Sequence, residues 1–251
     1  MRVLLSFILS LIILTSCEKE PEMVNLIAIQ KEFNVSIHAA TSSTGIVPAI
    51  KISSINSIGC QKDDLDIALF KTDTKLSFKI NGLLNNTECE DNKVVIENIT
   101  SFDSDRTNYG VEIWLKDVIM NPGVFKTDGS TYDLRLDTEH GLTVLKKRIK
   151  VLPSNRVWGH MAINGDVEES KFFNFLKSIT EDPNLDSGDY GLFSINEDDI
   201  IFSQEYEFQG DNQAFIFRVD DLETFKSALQ EYTENETAPE FTIYSSFGEI
   251  F

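Results

Sequence analysis

The sequence predicts a mainly β protein that ends in an α+β region: an antiparallel β-sandwich over residues 24–152, followed by a smaller α+β domain over 153–251. Three observations predict it. Short apolar runs recur between turn clusters through the first region, helical periodicity is confined to two segments after Pro153, and the charge balance breaks at the same place. Residues 24–152 carry 15 Lys/Arg against 17 Asp/Glu, whereas residues 153–251 carry 5 against 21.

Taken in order, sandwich strands are expected at 49–55, 65–71, 76–80, 94–99, 111–115, 132–136 and 143–151. Each is rich in Ile, Val, Leu or Phe, and Asn81-Gly82, Asn85-Asn86 and Asn121-Pro122-Gly123 read as turns between them. After Pro153 a strand is expected at 157–163, then a helix at 168–180 with Phe172, Phe175, Leu176 and Ile179 on one face. Strands at 190–195 and 200–208 follow, joined by a polar turn, and another is expected at 214–219. A second helix at 221–233 aligns Leu222, Phe225, Leu229 and Tyr232, and a strand at 241–247 closes the chain. That order is close to a ferredoxin-like α+β domain with an extra strand. Both helices would cover one sheet face and leave the other at least partly open.

Two short stretches carry resemblances. Met1-Arg2 is followed by a twelve-residue apolar run, too short to span a bilayer, that ends Leu14-Thr15-Ser16-Cys17. This resembles the lipobox of bacterial lipoproteins, which implies a signal peptide at 1–16, acylation of Cys17 with palmitate-type chains, and an outer-membrane lipoprotein. Residues 17–23, polar and containing Pro21, then read as a lipidated tether. An acidic stretch just after the Cys is similar to surface-export signals of some Gram-negative lipoproteins, which leaves periplasmic and surface-facing placement both open. The second stretch, Asp128-Gly129-Ser130-Thr131-Tyr132, resembles the tyrosine corner of immunoglobulin-like domains. It implies an immunoglobulin-like sandwich; a hairpin turn ending in Tyr accounts for the same letters.

Composition is that of a folded globular protein, and a net charge of −19 argues strongly against nucleic acid as a partner, since phosphate binding needs clustered Lys and Arg. With Cys17 assigned to lipid, Cys60 and Cys89 remain, and an oxidising envelope compartment favours a disulfide between them; two separate buried thiols are the alternative.

Chemistry-bearing patterns are sparse. No G-x-S-x-G elbow, H-E-x-x-H zinc signature or Gly-rich phosphate loop occurs, and His38, His140 and His160 lie far apart. Asp182, Asn184 and Asp186 fall at positions 1, 3 and 5 of an EF-hand-like calcium loop, but Ser187 stands where Gly makes the turn and Phe193 where the bidentate Glu belongs. A turn between helix and strand explains the same residues, so no cofactor is expected. Asp63-Asp64-Leu65-Asp66 and Glu197-Asp198-Asp199 read as solvated turns.

These features point to a non-catalytic, lipid-anchored envelope protein. It would bind a protein or other cationic macromolecule through its acidic C-terminal domain, in one version as an inhibitor or immunity-type protein. Glu205 and Glu207, with Tyr244 beside them on an open sheet face, are the expected contact residues. The alternatives are a structural accessory subunit of an outer-membrane secretion, motility or uptake assembly, or a glycan hydrolase using two carboxylates.

Overall fold

Strand β1 (Phe33–Ser42) alternates Phe33, Val35, Ile37 and Ala39 into the interior and hairpins onto β2 (Gly45–Ser54). A computed structural model describes residues 30–60, 63–84, 93–163, 167–197, 199–203 and 211–251. β5 (Glu97–Ser101) joins β2, and β9 (Leu142–Lys146) lies against β1, giving a four-stranded sheet in the order β5-β2-β1-β9. The facing sheet has six strands: β10 (Arg148–Lys150), β8 (Thr131–Leu136), β7 (Ile119–Thr127), β6 (Asn108–Leu115), β4 (Lys75–Leu84) and β3 (Asp64–Lys71), in that spatial order. Inward residues such as Ile37 and Ile52 meet Leu76, Phe78, Ile113 and Phe125 in one cluster, and Phe102 sets its ring edgewise on Phe78 and Phe125. Fold class is therefore mainly β, with two helices among the described residues, as the residue pattern indicates.

The sandwich departs from the expected plan at identifiable places. Two pairings are parallel, β1 with β9 and β4 with β6, so it is not antiparallel throughout. β1 was absent from the expected strands. Asn121-Pro122-Gly123 is not a turn but the middle of β7, opposite Ile113, Glu112 and Val111. Gly123 is required there by a close approach: a Cβ would sit 2.2 Å from the Arg135 carbonyl oxygen. Asn81-Gly82 also lies inside a strand, where a bulge between Asp66 and Ile67 shifts the β3–β4 register. The expected strand at 143–151 divides into β9 and β10, which belong to different sheets. Asp63, expected in a solvated turn, is buried and accepts the Cys60 backbone N–H at 2.8 Å.

β11 (Arg156–Ala162) is buried along its whole length because it is the centre of an antiparallel sheet ordered β15-β11-β16, with β15 (Asn212–Arg218) and β16 (Phe241–Ser245) as neighbours. On one face Val157, Met161, Phe215, Phe217 and Ile243 receive α1 (Val167–Ile179) through Phe172 and Leu176, and α2 (Leu222–Asn235) through Phe225 and Leu229. Asp221 caps α2 by accepting the Thr224 N–H at 2.8 Å. Near the C-terminus the bridge Tyr244 to Ile250 extends one edge of this sheet, and directly after α1 the bridge Glu181 to Arg218 extends the other. The chain then leaves it to form a small meander of β12 (Gly188–Asp189), β13 (Phe193–Asn196) and β14 (Asp199–Phe202).

That meander covers the second face of the β11 sheet, which was expected to be at least partly open. Phe193 packs on Trp158 with ring centres 6.0 Å apart, and Phe202 meets His160 edgewise. Trp158, Tyr190, Leu192, Phe193 and Ile216 belong to the same buried cluster as the sandwich core. The reason is geometric: Gly191, at φ +84°, brings the meander so close to β1 that a Cβ would lie 2.6 Å from the Ala39 nitrogen. Lys146 pairs with Asp189, and Lys150 with Asp186, across the same seam.

Candidate functional site

The acidic half contains few cations, and most are engaged internally. Arg156 is buried and donates to the carbonyls of Pro183 and Ser154, each at 3.1 Å; burial, reinforced by nearby Arg218, lowers its pKa. Arg218 pairs with Glu181, and Lys226 lies 2.8 Å from both Glu223 and Glu249. Lys177 sits over the Phe173 ring. Exposed carboxylates at Asp220, Glu231, Glu234, Glu236 and Glu240 thus remain as the outward charge of this half.

A cleft of about 510 Å³ opens where the C-terminal end of α1 meets the N-terminal end of α2. Ser178, Thr180, Glu181, Arg218, Asp220 and Asp221 contribute its polar lining, and Phe225 and Ala228 its floor. The Thr224 hydroxyl and backbone N–H, both donating to Asp221, hold that carboxyl below its ordinary range, so it stays ionised. The negative end of the α1 dipole adds to the field of these carboxylates. Chemically, such a lip suits an ammonium or guanidinium group.

Of the expected contact residues, only Tyr244 is described, and it lies away from this cleft. Glu205 and Glu207 lie outside the described residues. Tyr244 is half-buried on the meander side of the sheet, stacked on Trp158 with ring centres 6.3 Å apart and tilted toward His160. No local pattern names this cleft as a site, because it joins the end of α1 to the start of α2. Its signal was the pair Asp220-Asp221 directly after the Arg218-bearing strand, with Glu181 just past the first helix.

Asp182, Asn184 and Asp186 do share one loop, fastened by protein contacts. Asp182 accepts the Asn184 N–H, Asp186 pairs with Lys150 at 3.5 Å, and the Tyr190 hydroxyl donates to the Asp186 carbonyl. Among the described residues no group of three or more His, Cys, Asp or Glu is placed to hold a metal. The three histidines stand apart on β1, on the loop before β9 and on β11; burial pushes the His160 pKa down. Asp128 ties the β7–β8 hairpin, its Oδ1 accepting the Ser130 and Thr131 N–H groups at 2.8 Å, and Tyr132 is buried. Cys17 and Cys89 lie outside the described residues, while Cys60 is buried beside Asp63. No described helix is long and apolar enough to cross a membrane.

No protein-family model, curated protein or solved structure matches this chain.

Proposed function

We propose that this is a non-catalytic lipoprotein of the outer membrane, anchored through acylated Cys17, that holds a cationic protein partner on its acidic C-terminal half. The single observation that carries this is the engagement of four of the five C-terminal cations in internal contacts, which leaves outward carboxylates at the α1–α2 cleft (Asp220, Asp221) and at the far end of α2 (Glu231, Glu234, Glu236). Such a field raises association rates with basic partners and weakens with salt. An inhibitor or immunity-type role, blocking a basic lytic enzyme or toxin, is the form we favour. In this scheme an immunoglobulin-like sandwich acts as the spacer and a ferredoxin-like unit, its second strand reduced to the Glu181 bridge, as the head.

The test is a pull-down from detergent-solubilised envelopes with the tagged, acylated protein at low and high salt. A basic protein retained at low salt and released at high salt is the expected result. A large complex that survives high salt would replace this proposal with a structural accessory role.

A further inference from the structure

Strand register places one end of the sandwich at the point where the N-terminal segment enters. Phe33 opens β1 opposite Ser54 and Leu142, and Glu32 donates to Gly141 while accepting from Ile55. The six-stranded sheet contributes the Asp64–Leu84 pairing, the β6–β7 turn at 116–118 and the loop after Leu136, tied in through Asn121 and His140. Six exposed large apolar residues stand at this end: Ile55, Ile58, Leu84, Val95, Val118 and Met120. Val118, at the tip of a turn, is 81% exposed. A protein usually leaves single apolar side chains in water, but a set concentrated on the loops of one end marks a contact surface.

Several carboxylates at this end are paired with cations, while Glu32 and Asp64 stand exposed. Glu139 lies 3.8 Å from Lys31 and 3.5 Å from Lys147, Asp117 pairs with Lys79 at 2.8 Å, and Asp137 with Arg135 at 3.5 Å. The outward carboxylate field lies instead on the half joined to the opposite end, where Gly191 meets Ala39.

We infer that this end of the sandwich seats directly on the bilayer surface, with its loop apolar residues entering the headgroup region and the acidic half held away from the membrane. The place where the N-terminal segment joins the sandwich selects the occupant. Gln30 is thirteen residues beyond Cys17, a stretch reaching at most ~45 Å when extended. The chain leaves at the apolar end, whereas the acidic half begins a full strand length away, about 33 Å along β1. Anionic lipids would also repel the acidic half, so both geometry and charge bring the same end down. The inference rests on the proposed anchoring through Cys17.

The experiment places a photoreactive benzoylphenylalanine at Val118, Ile58 or Glu234 of the full acylated protein, in nanodiscs of phosphatidylethanolamine and phosphatidylglycerol. Lipid adducts at Val118 and Ile58, and none at Glu234, are expected. A paired Val118→Glu, Ile58→Glu variant should abolish the adduct of a probe at Met120 while leaving the fold intact, since both side chains are exposed. Acylated Cys17 by mass spectrometry with no lipid adduct at either loop overturns this inference alone; so does a cross-link between two copies through Val118. Unacylated Cys17 in protein purified from envelopes removes the anchor and this inference together.

Discussion

The sandwich and the C-terminal half solve the burial problem differently. In the sandwich, two sheets each offer one apolar face, and a single buried layer between them suffices. In the C-terminal half a three-stranded sheet is too small to stand with one face wet, so both faces are covered: helices on one, the meander on the other. The meander in turn presses against β1 and β10, and its aromatics complete the sandwich core. What differs in sequence is therefore charge, with a boundary near Pro153, while the apolar core runs across that boundary.

The largest expected effect breaks this picture outright if it fails. Trp158→Ala removes a fully buried ring that contacts Phe193 and Tyr244, and should cost about 3–5 kcal/mol. Calorimetry should show one transition moving down as a whole; two transitions, with only the later one shifted, would mean that the halves unfold separately. Next is the proposed Cys60–Cys89 bridge, which should contribute about 3.5 kcal/mol through loop closure. Non-reducing peptide mapping should find the linked pair, and reduction should lower the denaturant midpoint.

Gly191→Ala tests the seam itself. The added methyl group meets the Ala39 nitrogen at 2.6 Å and must adopt φ +84°, so a loss of about 1–3 kcal/mol is expected by denaturant titration. A comparable change at Gly129, which has open space although its φ is also positive, should cost less.

Acid sensitivity separates the halves more finely. Burial lowers the His160 pKa, so the unfolded chain binds a proton that the folded chain refuses. The stabilising difference is complete above ~6.5 and is lost as pH falls below it. Asp128 has a pKa of about 2, held down by the Ser130 and Thr131 donors; its contribution is present above ~4 and is lost as pH falls toward that value. Urea midpoints across this range should fall in two stages, with His160→Gln reducing the first and Asp128→Asn the second. The smallest effect on stability is expected for Glu231→Lys, Glu234→Lys and Glu236→Lys combined, within ~0.5 kcal/mol per exposed site, yet partner capture at low salt should be lost.

Legibility in the sequence followed the range of the interactions. The two helices matched to within two residues at each end, because Phe172–Leu176 and Phe225–Leu229 advertise a buried stripe at local spacing. The β7 strand was mistaken for a turn because Asn, Pro and Gly are turn formers by local preference. There, a long-range reason overrides it: Asn121 binds His140 and Gly123 admits the Arg135 backbone. The cleft was hard to read for the same reason: its acids near 180 and near 220 are brought together only by the fold.

The amino-acid sequence by itself determined the mainly β class, the two helices after Pro153 and the division of charge. Each of these is written in neighbouring residues or in simple sums. Only the tertiary structure decided that two pairings run parallel, that the meander closes the face once expected to be at least partly open, and that the apolar loops gather at the end where the N-terminal segment enters. Those outcomes depend on which distant strands meet, and strand pairing is fixed by the combined fit of side chains rather than by any one segment's preference.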